Sequence, residues 1–349
     1  MATIAASQRA RILFVVATLA VLFCLSAYWV FGGERLRWPL DFQVFWFSGR
    51  RSLPEVYADH GMPFVYPPTA LFLFKPFSLI SFLPSYLLWI ALSAALFGIA
   101  VARICGARVA ALSFLSPAAI KGITLGQSAM LLGGALFASL RLPPVARGAV
   151  FGLVAAIKPQ LVVFAPIAFL LRREWTVLAG MAGAWMLAVL ASMAAFGPWM
   201  WADWLEALPR FHELLVRHNV LSFAISPAAR AEYLGLQPLP VLIAAAGIGL
   251  AAVIALARRV EGEMLIALVV GASLAAAPYA HTHDSIALIP ACIVLLHKGY
   301  WPLALAAAFI LTGVPALVPI ALVAALIIGV AWAWEQARTA RAGQDAGQA

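Results

Sequence analysis

An aspartate directly after the first long apolar run is the residue best placed for chemistry. Asp41 follows Trp38-Pro39-Leu40 and begins a segment rich in aromatic residues. One interpretation is structural, because an aspartate at a helix start accepts hydrogen bonds from the first-turn amides. The other is chemical, because a carboxylate that is partly desolvated at a membrane surface becomes a stronger general base. The two roles are compatible, and both are predictions for Asp41.

A second group of polar residues lies near the ends of apolar runs. Snorkelling, in which a long side chain reaches from the apolar layer to water, explains many such cations. Several cations on one face can instead bind a lipid phosphate, since Arg and Lys commonly bind anions. We expect this group, which would bind substrate, to include Arg50, Arg51, Lys121, Gln127, Lys158 and Gln160. Tyr66, at the start of the Tyr66-Pro67-Pro68 segment, is expected to bind substrate as well.

A late turn carries His281-Thr282-His283-Asp284 between two apolar runs. These residue types can ligate a metal, but His-x-His-Asp without further ligands is weak support, and adjacent side chains on a helix point in different directions. Ionisable residues at membrane depth generally serve function. We therefore expect His281, His283 and Asp284 to bind substrate, without a metal or a cofactor.

The sequence lacks the motifs of several common protein classes. It contains no P-loop, no Gly-x-Ser-x-Gly elbow and no Rossmann fingerprint. The net charge is +9, but Lys and Arg occur singly or in pairs at the ends of apolar runs, which is unlike a nucleic-acid-binding surface. Its three cysteines lack the spacing of a metal or redox site. Nucleotide-driven transport, serine hydrolysis and nucleic-acid binding are therefore not expected.

The elements that position these residues must be membrane helices. Hydrophobic residues make up 64% of the chain and charged residues 11%, with a mean hydropathy of +0.98. A soluble domain carries about a quarter charged residues. Because apolar residues recur from Ile12 to Trp334, a soluble domain on a single anchor is excluded as well. The expected fold is all-α and polytopic, with membrane lipid as a partner.

Twelve spans are predicted, although several apolar segments are shorter than the ~20 residues of a straight span. The first, Ile12 to Phe31, is too long for a signal-peptide core. The others, divided at Pro, Gly and charged residues, lie near 84–102, 109–120, 127–140, 146–157, 159–171, 176–196, 239–257, 263–278, 284–297, 301–315 and 318–334.

The distribution of positive charge predicts the orientation of these spans. With the N-terminus inside, thirteen of the 23 Lys and Arg residues but only five of the 14 Asp and Glu residues lie on the inner side. Both termini are then cytoplasmic, and residues 32–83 and 197–238 form long outer loops. This orientation requires Tyr66 to Ile80 to form a re-entrant or interfacial hairpin.

Two further features complete this organisation. Phe42, Phe45, Trp46 and Gly49 recur at helical spacing, which predicts an amphipathic helix at the membrane surface. We expect residues 1–337 to form one transmembrane domain and residues 338–349 to form a disordered cytoplasmic tail.

The ordered set of these motifs resembles a known family. It comprises the Asp after the first span, Ser48-Gly49, Val56-Tyr57, Tyr66-Pro67-Pro68, Gly126-Gln127-Ser128, Ile157-Lys158-Pro159-Gln160 and the late His/Asp turn. In this order they resemble bacterial polyprenyl-phosphate-mannose-dependent α-mannosyltransferases, glycosyltransferase family 87 of the GT-C superfamily. The similarity extends from about Asp41 to Pro290.

The resemblance implies an inverting transfer of mannose from a polyprenyl-phosphate-linked sugar on the periplasmic face of a bacterial inner membrane. Asp41 would be the general base, and Lys121, Lys158, Arg50 and Arg51 would bind the lipid phosphate. The acceptor, which the sequence does not identify, would be a glycolipid, a glycan or a protein. His281 or His283 would lie near the acceptor or the phosphate, and the turn does not indicate which of them corresponds to the family's histidine.

Two other functions fit a polytopic protein with a cationic outer face. A lipid-linked glycan transporter or flippase is expected to contain inverted repeats, which this sequence does not show. A surface-glycan polymerase or ligase would also have many spans and a large outer loop. It would lack the early Asp beside the Tyr-Pro-Pro segment.

Overall fold

The computed structural model describes residues 40–58, 64–298 and 301–346, and the regular structure in these ranges is helical. The helices are α1 Leu40–Arg50, α2 Leu71–Ser78, α3 Phe82–Cys105, α4 Ala107–Phe114, α5 Pro117–Leu125, α6 Ala129–Ser139, α7 Pro144–Ile157, α8 Ala165–Leu171, α9 Trp175–Phe196, α10 Trp199–Arg217, α11 Pro227–Tyr233, α12 Pro238–Leu256, α13 Gly262–Ala275, α14 Ile289–Lys298, α15 Trp301–Leu311 and α16 Val318–Ala346. Short 3-10 helices cover Leu53–Glu55, Pro68–Ala70, Pro159–Leu161, Val220–Phe223 and Thr282–Leu288. The predicted first span, Ile12 to Phe31, lies outside the described residues.

Several described helices are long and apolar enough to cross a membrane. They are α3, α9, α12 and residues Val318–Ala337 of α16. A fifth crossing is formed if α4 and α5, which are bent by 63° relative to each other, act as one broken span. The protein is therefore a polytopic helical membrane protein.

The described helices do not support the predicted number of twelve spans. Five of the other apolar helices have between 10 and 17 residues, including α6 and α7. A straight crossing needs about 20 residues, so these helices are short for a complete span. The apolar run near 284–297 begins in a 3-10 helix, and the run near 159–171 contains the seven-residue α8. Hydropathy identified these segments, but turns and prolines divide them.

The amphipathic helix predicted after Asp41 is present as α1, but its apolar face is covered by protein. Phe42, Phe45 and Trp46 are buried together with aromatic residues of α2 and α3. The ring of Phe45 stacks on Phe74 of α2 with a centroid separation of 4.2 Å. The spacing of the stripe was sufficient to predict a helix. It did not distinguish a lipid surface from a protein surface, since both cover apolar side chains.

The segment predicted as a re-entrant or interfacial hairpin contains the 3-10 helix Pro68–Ala70 and the short helix α2. Helix α2 has eight residues and is about 12 Å long, too short to cross a membrane. It packs against α1, and the Trp46 indole N–H donates to the carbonyl of Ile80 at 3.0 Å. Residues 66–80 therefore fix α1 in place.

Helices α7 and α9 pack very closely through glycines. A Cβ atom on Gly148 would lie 2.0 Å from the carbonyl oxygen of Val177, and one on Gly152 would lie 2.2 Å from that of Met181. Small residues permit this approach between membrane helices. The contact fixes α7, whose C-terminal end carries Lys158.

The last helix extends to Ala346, through most of the segment whose composition predicts a disordered tail. The large apolar core extends from Phe97 to Ala333 and lies between several helices, including α3, α6, α7, α13 and α14. A separate aromatic core joins α1 and α2 to the start of α3. The candidate site lies where polar residues of these two parts meet.

Candidate active site

Asp41 lies in the first turn of α1, one residue inside the helix start. Its Oδ2 atom accepts a hydrogen bond of 2.7 Å from the Nε2 amide of Gln127. Burial raises the pKa of the Asp41 carboxyl to about 6, while this hydrogen bond and the positive charge of Lys158 oppose the increase. The carboxylate of Asp41 therefore contacts the side chain of Gln127, which is distant in sequence.

Gln127 is presented by a tight turn between α5 and α6. Gly126 ends α5 with a φ of 70°, and the amide of Gln127 donates to the carbonyl of Gly122 at 2.9 Å. A Cβ atom on Gly126 would lie 2.5 Å from Cβ of Phe42 in α1. Glycine is therefore needed at position 126 for two reasons, because the backbone is left-handed there and because α1 approaches closely. The indole of Trp89 donates to the carbonyl of Gly126 at 2.9 Å and holds the turn from a third side.

Tyr66 holds the other end of the Gln127 side chain. The Tyr66 hydroxyl donates to Oε1 of Gln127 at 3.2 Å and lies 2.9 Å from Oγ of Ser128. The carbonyl of Tyr66 accepts a hydrogen bond of 2.8 Å from the hydroxyl of Tyr57. The Tyr66-Pro67-Pro68 segment is held against α7 by the hydroxyl of Thr69, which donates to the carbonyl of Ala156. Tyr66, Gln127 and Asp41 thus form one chain of hydrogen bonds.

Lys158 follows the last residue of α7 and forms a buried ion pair with Asp284. Their side chains are 5% and 2% exposed, so the ammonium group faces a carboxylate instead of snorkelling to water. The Nζ atom of Lys158 also lies 5.7 Å from the centre of the Tyr66 ring. A cation over an aromatic face is electrostatically favourable. Tyr66 therefore lies between the Asp41–Gln127 pair and the Lys158–Asp284 pair.

The His281 to Asp284 turn is fixed by its own hydrogen bonds. The amide of His281 donates to Oδ2 of Asp284 at 2.9 Å, and the amide of Asp284 donates to the carbonyl of His281 at 2.8 Å. Nε2 of His283 lies 3.6 Å from Oδ1 of Asp284, and the two imidazole rings are 5.7 Å apart. No group of three or more His, Cys, Asp or Glu residues within the described ranges is arranged to hold a metal ion.

The other predicted cations lie around this centre or away from it. Nζ of Lys121 in α5 lies 5.2 Å from the ring of Phe223. Arg50 is at the opposite end of α1 from Asp41, roughly 14 Å along the helix at 1.5 Å per residue. Its guanidinium group stacks on Trp46 at 4.1 Å, and its Nε atom donates to the carbonyl of Ser78 at 2.9 Å. Arg51 follows Arg50 and is therefore also distant from Asp41.

Gln160 lies two residues beyond Lys158, in the Pro159–Leu161 3-10 helix, with a partly exposed side chain. The structure thus brings Asp41, Tyr66, Gln127, Lys158, His281, His283 and Asp284 into one region. Arg50 and Arg51 are not part of this cluster. Gln160 is near this cluster because it lies two residues after Lys158 in the chain.

Three aromatic and hydroxyl residues of the region were not among the predicted site residues. Ser128 contacts Tyr66, Tyr57 supports the Tyr66 carbonyl, and the Tyr279 ring lies 6.3 Å from the ring of His281. Ser128 and Tyr57 belong to motifs that the sequence did distinguish. Tyr279 lies two residues before His281, so proximity to the histidine turn was the available signal.

This arrangement provides a base, fixed donors and a cation in a largely buried site. Asp41 can accept a proton, Lys158 can stabilise negative charge, and the tyrosine and imidazole groups can hydrogen-bond to hydroxyl groups. Lys158 already carries Asp284 as its counter-ion. At least one of the three ammonium hydrogens of Lys158 is directed at Asp284, which leaves at most two for another acceptor.

Comparison with protein families gives one match that covers more than half of the chain. The model described as Glycosyltransferase family 87 matches residues 64–278. Tyr66, Lys121, Gln127 and Lys158 fall inside this range, while Asp41 precedes it and the histidine turn follows it. Comparison with curated proteins and with solved structures finds no match.

Proposed function

The chain belongs to glycosyltransferase family 87 and is a membrane glycosyltransferase, and on this premise we propose a specific reaction for it. The protein transfers a hexose, which we propose is mannose, from a polyprenyl-phosphate donor to an acceptor hydroxyl. The site faces the periplasm of a bacterial inner membrane, and both termini are cytoplasmic. The acceptor is a glycolipid, a glycan or a protein.

The observation that carries this proposal is the placement of Asp41. Its carboxylate is oriented by Gln127 at 2.7 Å and shares the site with the buried cation Lys158. Burial raises the pKa of this carboxyl to about 6, which is closer to neutral than that of a solvated aspartate. A general base is most effective when its pKa lies near the working pH. A base and a cation in one site are what glycosyl transfer from a lipid phosphate requires.

In the proposed step, the acceptor oxygen attacks the anomeric carbon while Asp41 takes the hydroxyl proton. The bond between the anomeric carbon and the phosphate oxygen breaks, and its electron pair stays on the lipid phosphate. The leaving phosphate needs no proton, so one carboxyl group suffices. Attack opposite the leaving group converts a β-linked donor into an α-linked product.

Positive charge would stabilise the phosphate as its negative charge increases. We assign this role to Lys158, with Lys121 as the second cation. Arg50 and Arg51 are not assigned to this phosphate, because they lie at the other end of α1 from Asp41. His283 and His281 are assigned to the hydroxyl groups of the sugar or the acceptor, together with Gln160.

The transporter and the polymerase alternatives gain no specific support. Membership of a glycosyltransferase family indicates that the protein transfers a sugar, and Asp41 in the described site can act as the base for that reaction. No observation on the described residues favours movement of a lipid-linked glycan across the membrane. Sugar transfer is therefore the reaction to test.

The direct test is label transfer by purified protein in lipid, with polyprenyl-phosphate mannose as donor and a total membrane extract as acceptor source. The Asp41→Asn variant removes the base but keeps the size of the side chain. We expect it to lower transfer by at least about 100-fold, since general-base catalysis contributes 10²–10⁴-fold. The wild type should give a labelled product from which the acceptor class is identified.

A matched control separates loss of the base from loss of the fold. Glu213→Gln removes the charge of an exposed carboxylate of α10, and it should transfer label at the wild-type rate. Thermal unfolding in detergent should be similar for both variants. Undiminished transfer by Asp41→Asn would refute the base assignment. Transfer from another polyprenyl-phosphate sugar alone would refute only the choice of mannose.

A further inference from the structure

Gln127 uses both ends of its side-chain amide within the site. Its Nε2 atom donates to Asp41 at 2.7 Å, and its Oε1 atom accepts from the Tyr66 hydroxyl at 3.2 Å. Gln127 is 8% exposed, which leaves little of it available to a substrate. The sequence grouped Gln127 with residues that bind substrate. Its contacts instead connect two other side chains of the site.

The chemistry of the partners fixes which way the amide points. An ionised carboxylate can only accept hydrogen bonds, so the NH₂ end of Gln127 must face Asp41. The carbonyl end then faces Tyr66, whose hydroxyl can donate to it. Ser128 lies 2.9 Å from the same hydroxyl and can donate to the Tyr66 oxygen. The donor and the acceptor of each hydrogen bond in this chain are therefore determined.

The backbone of Gln127 is held as firmly as its side chain. The Gly126 turn accepts from the Trp89 indole at 2.9 Å, and the Tyr86 hydroxyl donates to the carbonyl of Ile123 at 2.7 Å. Phe42, the neighbour of Asp41 in α1, packs directly on Gly126. The distance between the amide and the carboxylate is thus set by two rigid elements that contact each other.

We propose that Gln127 is a positioning residue, which holds the Asp41 carboxylate through Oδ2 and presents Oδ1 to the proton of the acceptor hydroxyl. Tyr66 and Ser128 fix the orientation of its amide. This inference depends on the proposed function of Asp41 as the general base. It assigns Gln127 and Tyr66 to the base, whereas the sequence predicted that they bind substrate.

A positioning role predicts a change in the pH dependence of catalysis. The hydrogen bond from Gln127 favours the ionised carboxylate, so its loss raises the pKa of Asp41. The other charged or titratable groups on the helix of Asp41 and on the elements around it are Arg50, Lys75, Tyr86, Arg103, Cys105, Lys121, Tyr66, Lys158 and Asp284. None of these side chains is itself substituted in Gln127→Leu, so a shift reports the loss of the Gln127 amide and of its bonds to Asp41 and Tyr66.

The main experiment is the pH–rate profile of sugar transfer for wild type, Gln127→Leu and Gln127→Glu. We expect Gln127→Leu to lower kcat about tenfold near neutral pH and to move the acidic limb upward by about one pH unit. The KM for the donor should change less than about twofold, because Gln127 does not contact it. Gln127→Glu has the same shape as glutamine but adds a negative charge, so its acidic limb should move farther in the same direction.

Tyr66 provides a second, sharper test of the same chain. Tyr66→Phe removes the hydroxyl but keeps the ring over which Lys158 lies. It should shift the acidic limb in the same direction as Gln127→Leu, by less. The double variant should be no worse than Gln127→Leu alone, since residues that act through one another are non-additive. Additive losses would place Tyr66 on the substrate and overturn its part in the proposal.

The matched control is Gln237→Leu, the same change at an exposed position preceding α12. It should leave the profile unchanged. A raised donor KM with an unchanged acidic limb in Gln127→Leu and Gln127→Glu would show that Gln127 binds the donor, and the proposal would be wrong. Thermal unfolding distinguishes this result from misfolding, and the isosteric Gln127→Glu supplies data if Gln127→Leu does not fold.

A readout without substrate separates this inference from the proposed function. Aspartate labelled with ¹³C at the carboxyl reports ionisation by NMR, and the Asp41 signal is the one missing in Asp41→Asn. Its titration midpoint should rise in Gln127→Leu even if no polyprenyl-phosphate sugar is a donor. An unchanged midpoint would refute the contact itself. Failure of transfer with an increased midpoint would refute only the reaction.

Discussion

At the residue scale, the burial that strengthens Asp41 as a base also limits the pH range in which it can act. A base must be ionised, and the pKa of Asp41 is raised from 3.8 to about 6. Below that pH a growing fraction of the protein carries a protonated carboxyl. Lys158 and Gln127 keep the pKa from rising farther, so the residues around Asp41 determine the range of activity.

We therefore expect kcat/KM for sugar transfer to be nearly constant above pH 7 and to fall below about pH 6, approaching tenfold for each further pH unit. The measurement is initial rates between pH 4.5 and 8.5, on the order of nine buffers, at constant ionic strength. Recovery of activity after return to neutral pH controls for unfolding. An acidic limb near pH 4, the usual range of a solvated aspartate, would mean that burial does not raise the pKa of the catalytic base.

The site shows what local sequence information contains and what it lacks. Residue type and position after an apolar run were enough to distinguish Asp41, Gln127 and Lys158 as candidates. The pairing of Asp41 with Gln127 joins positions 86 residues apart, and no local spacing encodes it. The partner of Lys158 was likewise not predictable, although both members of the pair were candidates. Distant contacts depend on how helices pack, which a single sequence does not specify.

At the element scale, apolar runs predicted helices well where a proline, glycine or charged residue bounds them on both sides. The run 176–196 corresponds to α9, Trp175–Phe196, and the run 239–257 to α12, Pro238–Leu256. The run 109–120 is instead divided between α4 and α5. Ser116 there starts a new helix by accepting a hydrogen bond of 3.2 Å from the amide of Ala119. Hydropathy does not show this division, but Ser116 followed by Pro117 at the first helical position is a helix-start signal that the sequence contains.

The ion pair of Lys158 and Asp284 joins two elements, the end of α7 and the 3-10 helix Thr282–Leu288. Removal of one partner leaves a buried charge without compensation, which typically costs about 3–5 kcal/mol. We expect Asp284→Asn and Lys158→Met each to lower the unfolding temperature markedly. Asp284→Asn keeps an oxygen that can accept from the His281 amide. The loss of stability in Asp284→Asn should therefore come from the missing negative charge and not from disruption of the turn.

The double variant Lys158→Met with Asp284→Asn removes both charges and should recover most of the stability, yet remain inactive in transfer. Thermal unfolding of purified protein in detergent measures the first effect and label transfer the second. Arg147→Gln is the comparison, because Arg147 and Glu174 are 3.8 Å apart and partly exposed, and such pairs contribute about 0–1 kcal/mol. Wild-type stability of either single variant would show that the pair is not buried in the folded protein.

At the scale of the whole molecule, arginines and the candidate site occupy opposite ends of the same helices. Helix α3 has Tyr86 in its N-terminal half, near the site, and Arg103 in its last turn. Helix α7 has Arg147 near its start and is followed by Lys158. The guanidinium group of Arg141 donates a hydrogen bond to the carbonyl of Arg103 at 2.9 Å. Helices α3 and α7 therefore each carry an arginine at the end that lies away from the site.

The proposed orientation places the arginine end in the cytoplasm and the site in the periplasm, and labelling of single cysteines can test it. In a protein without its native cysteines, Gln237→Cys lies in the loop before α12 and Leu142→Cys in the loop before α7, and both positions are exposed. In intact cells with a permeable outer membrane, a charged maleimide should label Gln237→Cys and leave Leu142→Cys unmodified. Disruption of the inner membrane should make both positions reactive. The reverse pattern would place the base Asp41 on the cytoplasmic side, where the donor would have to present its sugar to the cytoplasm.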